Sequence, residues 1–274
     1  MRGSIPCAYS ENMIFGGNTS CFQIFSDTHK ELLIVDSGTG LRTLGNHLVN
    51  QEDSLAGQIF ITHPHGDHLQ GFPFFKPFYK KSSTFRIYMP PLGQLGCNDI
   101  LQGYLCNTFF PVAMDMFDAD MYYETFEPGE LLFDHYNVDF MWANHTIETA
   151  IYRFNIHGKK IIIAPDNELP QDNSSESQKF IQKFKAFVKD ADVLIHDAQF
   201  NNAQYKECIG WGHSAWEHVL VVCANCNVKK LILTHHDPDS DDDYLETLDQ
   251  KLAQNYFKNF ESVFLAREGM VMEV

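Results

Sequence analysis

Three histidines and one aspartate lie within six consecutive residues, far more than chance provides. They are His63, His65, Asp67 and His68. Imidazole nitrogens suit zinc, and a carboxylate beside them can bind a second metal ion or position a water molecule on the metal. The run follows an apolar segment at 58–61 and contains Pro64 and Gly66, which is typical of a loop at the end of a strand. Side chains can converge on one point in such a loop, so the pattern predicts a metal site.

The elements that would position this loop follow from short β-branched and aromatic runs and from helical patterns. Predicted strands cover 21–25, 31–36, 58–62, 85–89, 137–142, 150–155, 160–164, 192–196 and 229–234. Predicted helices cover 41–49, 174–188, 215–224 and 241–257, with more β structure at the C-terminus. The strand-rich first part and the alternating second part predict an α/β (α+β) fold of two packed mixed sheets with helices on the outer faces.

The length of 274 residues and the 44% hydrophobic content predict a single domain over residues 1–274. The segment at about 90–129 is crowded with aromatic residues, Met and Pro and has no clean periodicity. It is expected to be irregular. A lid, a pocket wall and a dimer surface are open interpretations, and so is plain core packing.

Composition argues against some partners. Twenty Lys and Arg against 36 Asp and Glu give a net charge of −16, which would repel a long nucleic acid. No apolar run is long enough for a membrane helix and the N-terminus lacks a signal-peptide pattern, so no membrane partner and a cytoplasmic location are expected. The seven cysteines are scattered, and the single C-x-x-C pair, Cys223 and Cys226, is interpreted as core thiols.

Later residues extend the His63 loop into a known pattern. The H-x-H-x-D-H motif resembles that of the metallo-β-lactamase superfamily, in which a later His, a metal-bridging Asp and a final His follow. His145, Asp166 and His235 occur in that order, the last two directly after predicted strands. The resemblance implies the αββα sandwich of that superfamily and two divalent metal ions, zinc first and manganese second. It assigns one ion to His63, His65 and His145, the other to Asp67, His68 and His235, and a bridging role to Asp166.

Two neighbouring residues refine this assignment. Asp36 is expected to support the His63 loop and not to bind metal. His236 directly follows His235, and the superfamily pattern L-T-H-x-x-P places the ligand at His235, with His236 as the alternative.

A second motif, Gly212-His213-Ser214, follows Asp197 in the run I-H-D-A-Q-F. The pair resembles that of RNase Z and its relatives, where a His beside an acidic residue acts in proton transfer. The resemblance implies a phosphodiesterase in which a metal-bridging hydroxide attacks phosphorus. His213 would protonate the leaving oxygen, Asp197 would orient His213 and raise its pKa, and Asp67 would act as a catalytic residue as well as a ligand. His196 is interpreted as a structural histidine. Ser214 could belong to the functional motif or equally be a helix N-cap.

The substrate expected from resemblance is a small phosphodiester. Only 20 residues separate His145 from Asp166, where RNase Z carries a long tRNA-gripping arm. The runs R-G-S, G-G-N-T-S-C and H-H-D-P resemble small phosphodiesterases that cleave 3′,5′-cyclic nucleotides, including anti-Pycsar proteins, which are homodimers. Phe109 and Phe110 could stack a base. Gly66 stands where many members of that subgroup have Trp. An RNase Z-like nuclease and a thioesterase or lactonase on the same metals are the alternatives.

Overall fold

The computed structural model describes residues 1–26, 29–50, 54–108, 110–255 and 258–274. Contacts divide the chain into two compact units, one of Asn18–Pro128 and one of Met1–Gly17 with Gly129–Val274. Phe109 and the last two residues of the predicted helix at 241–257 lie outside the described residues. Each unit contains one sheet and its own core.

Among the described residues of Asn18–Pro128, five strands form a mixed sheet in the order β1-β2-β3-β4-β5. They are β1 (Phe22–Ser26), β2 (His29–Val35), β3 (Ala56–Phe60), β4 (Thr84–Met89) and β5 (Asp120–Thr125). β1 and β2 pair antiparallel, and the other neighbours are parallel. The apolar run at 32–35 in β2, which is buried throughout, fits this arrangement, because parallel strands are usually covered on both faces.

The described part of this unit has three α-helices, and the second of them carries Asp67 and His68. They are α1 (Thr39–Leu48), α2 (Gly66–Leu69) and α3 (Cys97–Tyr104). The core beneath them is rich in phenylalanine, and Phe72, Phe75, Phe78 and Phe85 are fully buried in one cluster. Packed aromatic rings bury large apolar areas and keep the ends of the neighbouring strands in place.

The described residues of the other unit form a seven-stranded mixed sheet in the order β12-β11-β10-β9-β8-β7-β6. The strands are β6 (Glu130–Leu132), β7 (Tyr136–Trp142), β8 (Ala150–Ile156), β9 (Lys159–Ala164), β10 (Val193–Asp197), β11 (Lys230–Thr234) and β12 (Ser262–Leu265). β9 to β12 run parallel, whereas β6 to β9 pair antiparallel. Parallel neighbours end at one edge of the sheet, and β9, β10 and β11 bring their last residues to that edge together.

Four helices accompany this sheet in the described part of the unit. They are α4 (Ser175–Val188), α5 (Asn202–Tyr205), α6 (Trp216–Cys223) and α7 (Asp242–Asn255). The apolar faces of α4, α6 and α7 contribute to one buried cluster, which includes Phe184, Val219 and Leu248. Cys223 and Cys226 also lie in that cluster, so the interpretation of the C-x-x-C pair as core thiols is confirmed. None of the helices in the described residues has the length and apolar character that crossing a membrane requires.

The segment at 90–129 is more regular than predicted. It contains α3 and β5, and Leu101, Phe117 and Ala119 belong to the buried cluster of their unit. Strand β5 alternates between half-buried and exposed residues and carries charges at its start and within it, which weakens its apolar pattern. Core packing therefore accounts for much of this segment.

Candidate metal centre

The His63 loop follows β3 and ends in the short helix α2. Nε2 of His63 lies 2.9 Å from Nδ1 of His65, and Nε2 of His68 lies 3.2 Å from Oδ2 of Asp67. A zinc–nitrogen bond measures about 2.0–2.1 Å, so two ligand atoms less than about 4 Å apart can share an ion. Each pair also lies within a group of His and Asp side chains that could hold a metal ion.

Asp36, just after β2, supports this loop from below. Its Oδ2 lies 2.8 Å from Nδ1 of His68 and accepts a hydrogen bond from the Ser20 hydroxyl at 2.7 Å. Its Oδ1 accepts bonds from the backbone N–H of Thr62 at 2.8 Å and from the Thr62 hydroxyl at 2.9 Å. A carboxylate only accepts here, so Nδ1 of His68 carries the proton and Nε2 is the nitrogen that could bind a metal ion.

Asp166 lies between two histidines in the other unit. Its Oδ2 is 3.7 Å from Nε2 of His145, and its Oδ1 is 3.2 Å from Nδ1 of His235. Both distances are short enough for the paired atoms to share an ion. The two oxygens thus face different imidazoles, which is the arrangement that a carboxylate bridging two metal ions requires.

Strand ends explain why these residues meet. Asp166 follows β9, Asp197 ends β10 and His235 follows β11, and these three strands are parallel neighbours. His235 has a φ of 61°, in the left-handed region, so the chain turns sharply there and the imidazole leaves the direction of the strand. The adjacent His236 points into the fold, where its Nε2 contacts the carbonyl of Ala266 at 2.9 Å. Burial lowers the pKa of His236 well below its ordinary value.

His213 and Asp197 form a buried pair beside His235. Nδ1 of His213 lies 2.7 Å from Oδ2 of Asp197. The other carboxylate oxygen accepts bonds from the backbone N–H groups of Gln199 and Ser214, at 2.9 and 3.3 Å. The His213 ring stacks on His235 with 4.8 Å between ring centroids. With Nδ1 bound by Asp197, Nε2 of His213 is the nitrogen that can exchange a proton with a substrate.

Two neighbouring residues have structural roles. Nε2 of His196 accepts a hydrogen bond from the Asn167 amide at 3.0 Å, and burial lowers the pKa of His196. The N-cap interpretation of Ser214 is wrong, because the cap position of α6 is Ala215. The Ser214 hydroxyl instead donates to the Asn167 carbonyl at 2.6 Å and accepts from the Leu169 N–H at 2.9 Å.

Sequence reasoning missed Asn167 and Glu168, which directly follow Asp166. Both are buried. The Asn167 side-chain oxygen accepts a hydrogen bond from the backbone N–H of Asn144 at 3.0 Å, next to His145. The backbone N–H of Asn167 donates to Oδ2 of Asp197 at 3.2 Å. A run of three polar residues after an apolar strand was the available signal, because buried polar groups need partners and commonly organise a site.

Comparison with known families agrees with this geometry. The family described as "Beta-lactamase superfamily domain" matches residues 33–236. The chain belongs to this family. The ribonuclease Z of Archaeoglobus fulgidus is 25% identical over 303 residues, which cover 95% of this chain and 90% of that protein.

Solved structures of the superfamily match nearly the whole chain. The metallo-β-lactamase fold protein YhfI from Bacillus subtilis has a TM-score of 0.71 at 19% identity, covering 100% of this chain and 96% of the other. PDE1 from yeast has a TM-score of 0.67 at 17% identity, covering 98% and 96%. The predictions of a metallo-β-lactamase fold and of a metal-dependent hydrolase are thereby confirmed.

Proposed function

We propose that this chain is a dinuclear-metal phosphodiesterase that hydrolyses a small phosphodiester, with a 3′,5′-cyclic nucleotide as the first candidate. The observation that carries the proposal is the position of Asp166, whose two oxygens face His145 and His235, beside the His213–Asp197 pair. A bridging carboxylate with a separate proton donor suits displacement at phosphorus, where charge develops on oxygens and an alkoxide must leave.

The proposal keeps the ligand assignment that the family resemblance implies. His63, His65 and His145 would bind one ion, Asp67, His68 and His235 the other, and Asp166 both. Five imidazoles and two carboxylates suit zinc, with manganese as the second choice. Neighbouring acceptors fix the orientation of two of these side chains. Asp36 does so for His68, and the Gly212 carbonyl does so for His145.

The proposed chemistry divides between the ions and the protein. When bound, two such ions lower the pKa of a water molecule and neutralise charge on the phosphoryl oxygens. Asp67 would hold an ion and help to orient the attacking water. His213 would give its Nε2 proton to the leaving oxygen. The buried carboxylate of Asp197, 2.7 Å from Nδ1 of His213, would hold the ring in place.

The small substrate is supported by the net charge of the chain and by the short segment of 20 residues between His145 and Asp166. A net charge of −16 disfavours a long polyanion, whereas a compact monoanion can be held by the metal ions alone. An RNase Z-like nuclease is the second candidate, because the Archaeoglobus fulgidus relative carries that name. A homodimer and a cytoplasmic location stay predictions from the sequence.

A substrate panel tests the activity. The protein loaded with Zn²⁺ or Mn²⁺ would be assayed with cyclic mono- and dinucleotides, bis(p-nitrophenyl) phosphate, a precursor tRNA, a thioester and a lactone. We expect hydrolysis of the phosphodiesters, with a cyclic mononucleotide turned over fastest. Activity on the thioester or lactone alone would contradict the proposal, and activity on the precursor tRNA alone would favour the second candidate.

Two variants test the roles of the residues. His213→Ala should keep its metal and lose about 100-fold or more in turnover, because general acid catalysis contributes about that much. Asp166→Ala should lose metal. His47→Ala, at an exposed histidine of α1, is the control and should change neither quantity. An active His213→Ala variant would remove the proton-donor role.

A further inference from the structure

Glu168 is a buried carboxylate that the proposed chemistry does not use. It lies two residues after Asp166 and is 4% exposed. Its Oε1 accepts hydrogen bonds from the Tyr205 hydroxyl at 2.7 Å and from the N–H of Gly210 at 3.0 Å. Its Oε2 accepts the N–H of Gly212 at 2.9 Å. Burying a carboxylate costs free energy unless such bonds compensate, so these donors are tied firmly to Glu168.

The donors belong to the turn at 205–212, which leads directly into His213. Gly210 and Gly212 have φ values of 85° and 88°, a region that glycine adopts without strain. A Cβ on Gly212 would lie 2.2 Å from Nδ1 of His145, whereas one on Gly210 would meet nothing within 4 Å. The turn therefore passes against His145 at Gly212, where a larger residue would not fit.

The same turn fixes the protonation of His145. The carbonyl of Gly212 lies 2.9 Å from Nδ1 of His145, and a carbonyl can only accept. Nδ1 must carry the proton, which leaves Nε2, on the side of Asp166, as the ligand atom. The backbone of Glu168 also binds Asn144, the residue before His145. Its N–H donates to the Asn144 carbonyl at 2.8 Å, and its carbonyl accepts from the Asn144 side-chain amide at 3.0 Å.

We propose that Glu168 is a positioning residue that fixes the orientation of both His145 and His213 through the turn at 205–212. The carboxylate holds the two glycine N–H groups, the Gly212 carbonyl orients the metal-binding His145, and the next residue is the proton donor. The effect on His213 rests on the proposed phosphodiesterase function. The effect on His145 concerns metal binding and stands without it.

The test compares Glu168→Gln with Glu207→Gln. Gln at 168 keeps the shape but replaces one acceptor oxygen with an NH₂ group, which cannot accept the glycine N–H bonds. Glu207 is an exposed residue of the same turn, so its substitution removes the same charge without touching the network. We expect the zinc dissociation constant to rise about tenfold in Glu168→Gln and to stay unchanged in Glu207→Gln.

A leaving-group comparison separates positioning from a general loss of structure. p-Nitrophenolate leaves without a proton, whereas an alkoxide needs one from His213. In Glu168→Gln, turnover of a phosphodiester with an alkyl leaving group should fall about tenfold more than turnover of bis(p-nitrophenyl) phosphate. Equal losses on the two substrates, together with unchanged zinc affinity, would overturn the proposal.

Amide hydrogen exchange makes the test independent of activity. Exchange at Gly210 and Gly212 should become faster in Glu168→Gln and not in Glu207→Gln, because the carboxylate protects both N–H groups. If the parent chain hydrolyses no phosphodiester, the proposed function fails, while zinc affinity and exchange still decide the role of Glu168. If Glu168→Gln does not fold, Gly210→Ala strains the exposed turn alone and should show the same rise in the zinc dissociation constant. An unchanged constant there would count against the proposal.

Discussion

At the scale of single residues, one hydrogen-bond arrangement recurs at the histidines of the candidate centre. Three of its histidines have Nδ1 bound by an acceptor of their own unit, so that Nε2 is the nitrogen that a metal ion or a substrate could contact. Asp36 does this for His68, the Gly212 carbonyl for His145 and Asp197 for His213. Such acceptors fix the tautomer and the orientation of the ring before any ligand arrives, which reduces the cost of binding.

Asp36→Asn should weaken zinc binding about 10- to 100-fold, the range typical of groups that orient a ligand. Asp36 accepts four hydrogen bonds, and an amide nitrogen in place of one oxygen would face a donor. Competition with a chromogenic chelator measures the affinity. Asp115→Asn, at an exposed site of the same unit, is the control. Equal affinities of the two variants would show that Asp36 does not orient His68.

Phe110 offers a test of nucleobase recognition. It is half-buried and packs edge-on against Phe74, which is 48% exposed, with 5.4 Å between ring centroids. Stacking on an aromatic ring contributes about 1–3 kcal/mol per base. Phe110→Ala should therefore raise KM for a cyclic nucleotide about fivefold or more and change KM for bis(p-nitrophenyl) phosphate less. Equal increases in KM would refute base stacking by Phe110.

At the scale of elements, the N-terminal residues 1–3 pair with the chain just past the end of β11. The N–H of His236 donates to the Met1 carbonyl at 3.0 Å, and the N–H of Gly3 donates to the His236 carbonyl at 2.9 Å. The segment thus continues the pairing of β11 past its end, where His235 adopts its left-handed conformation. Backbone pairing on this side keeps the histidine from relaxing toward an ordinary strand conformation.

Gly3→Ala should reduce zinc affinity through this contact. A Cβ at Gly3 would lie 2.2 Å from Cδ2 of His235, so either the imidazole or the N-terminal segment must move. We expect about a tenfold rise in the zinc dissociation constant with the fold retained. Gly103→Ala is the control, because a Cβ there meets nothing within 4 Å and Ala favours the helix α3 by about 0.5–1 kcal/mol. Isothermal titration and thermal melts of both variants would decide, and unchanged affinity in Gly3→Ala would contradict the expectation.

The sequence predicts elements and motifs better than it predicts their supports. The nine predicted strands and four predicted helices all have observed counterparts, because apolar periodicity is a local property. β5 and α3 are the longest of the elements that were missed, since 120–125 and 97–104 mix polar and apolar residues without a clear period. Glu168 was missed for another reason. Two of its three side-chain partners are backbone N–H groups of a turn some 40 residues later, and a backbone donor cannot be recognised from residue type.

At the scale of the whole molecule, the net charge separates the two candidate functions. A charge of −16 repels RNA, and the twenty cationic side chains are outnumbered by 36 acidic ones. At 0.15 M salt we expect the dissociation constant for tRNA to be weaker than about 10⁻⁴ M, the weak end of non-specific binding. Inhibition of cyclic-nucleotide hydrolysis by added tRNA measures this constant. A micromolar constant that weakens steeply between 0.05 and 0.2 M salt would reveal a local basic surface, and it would favour the nuclease over the small-substrate phosphodiesterase.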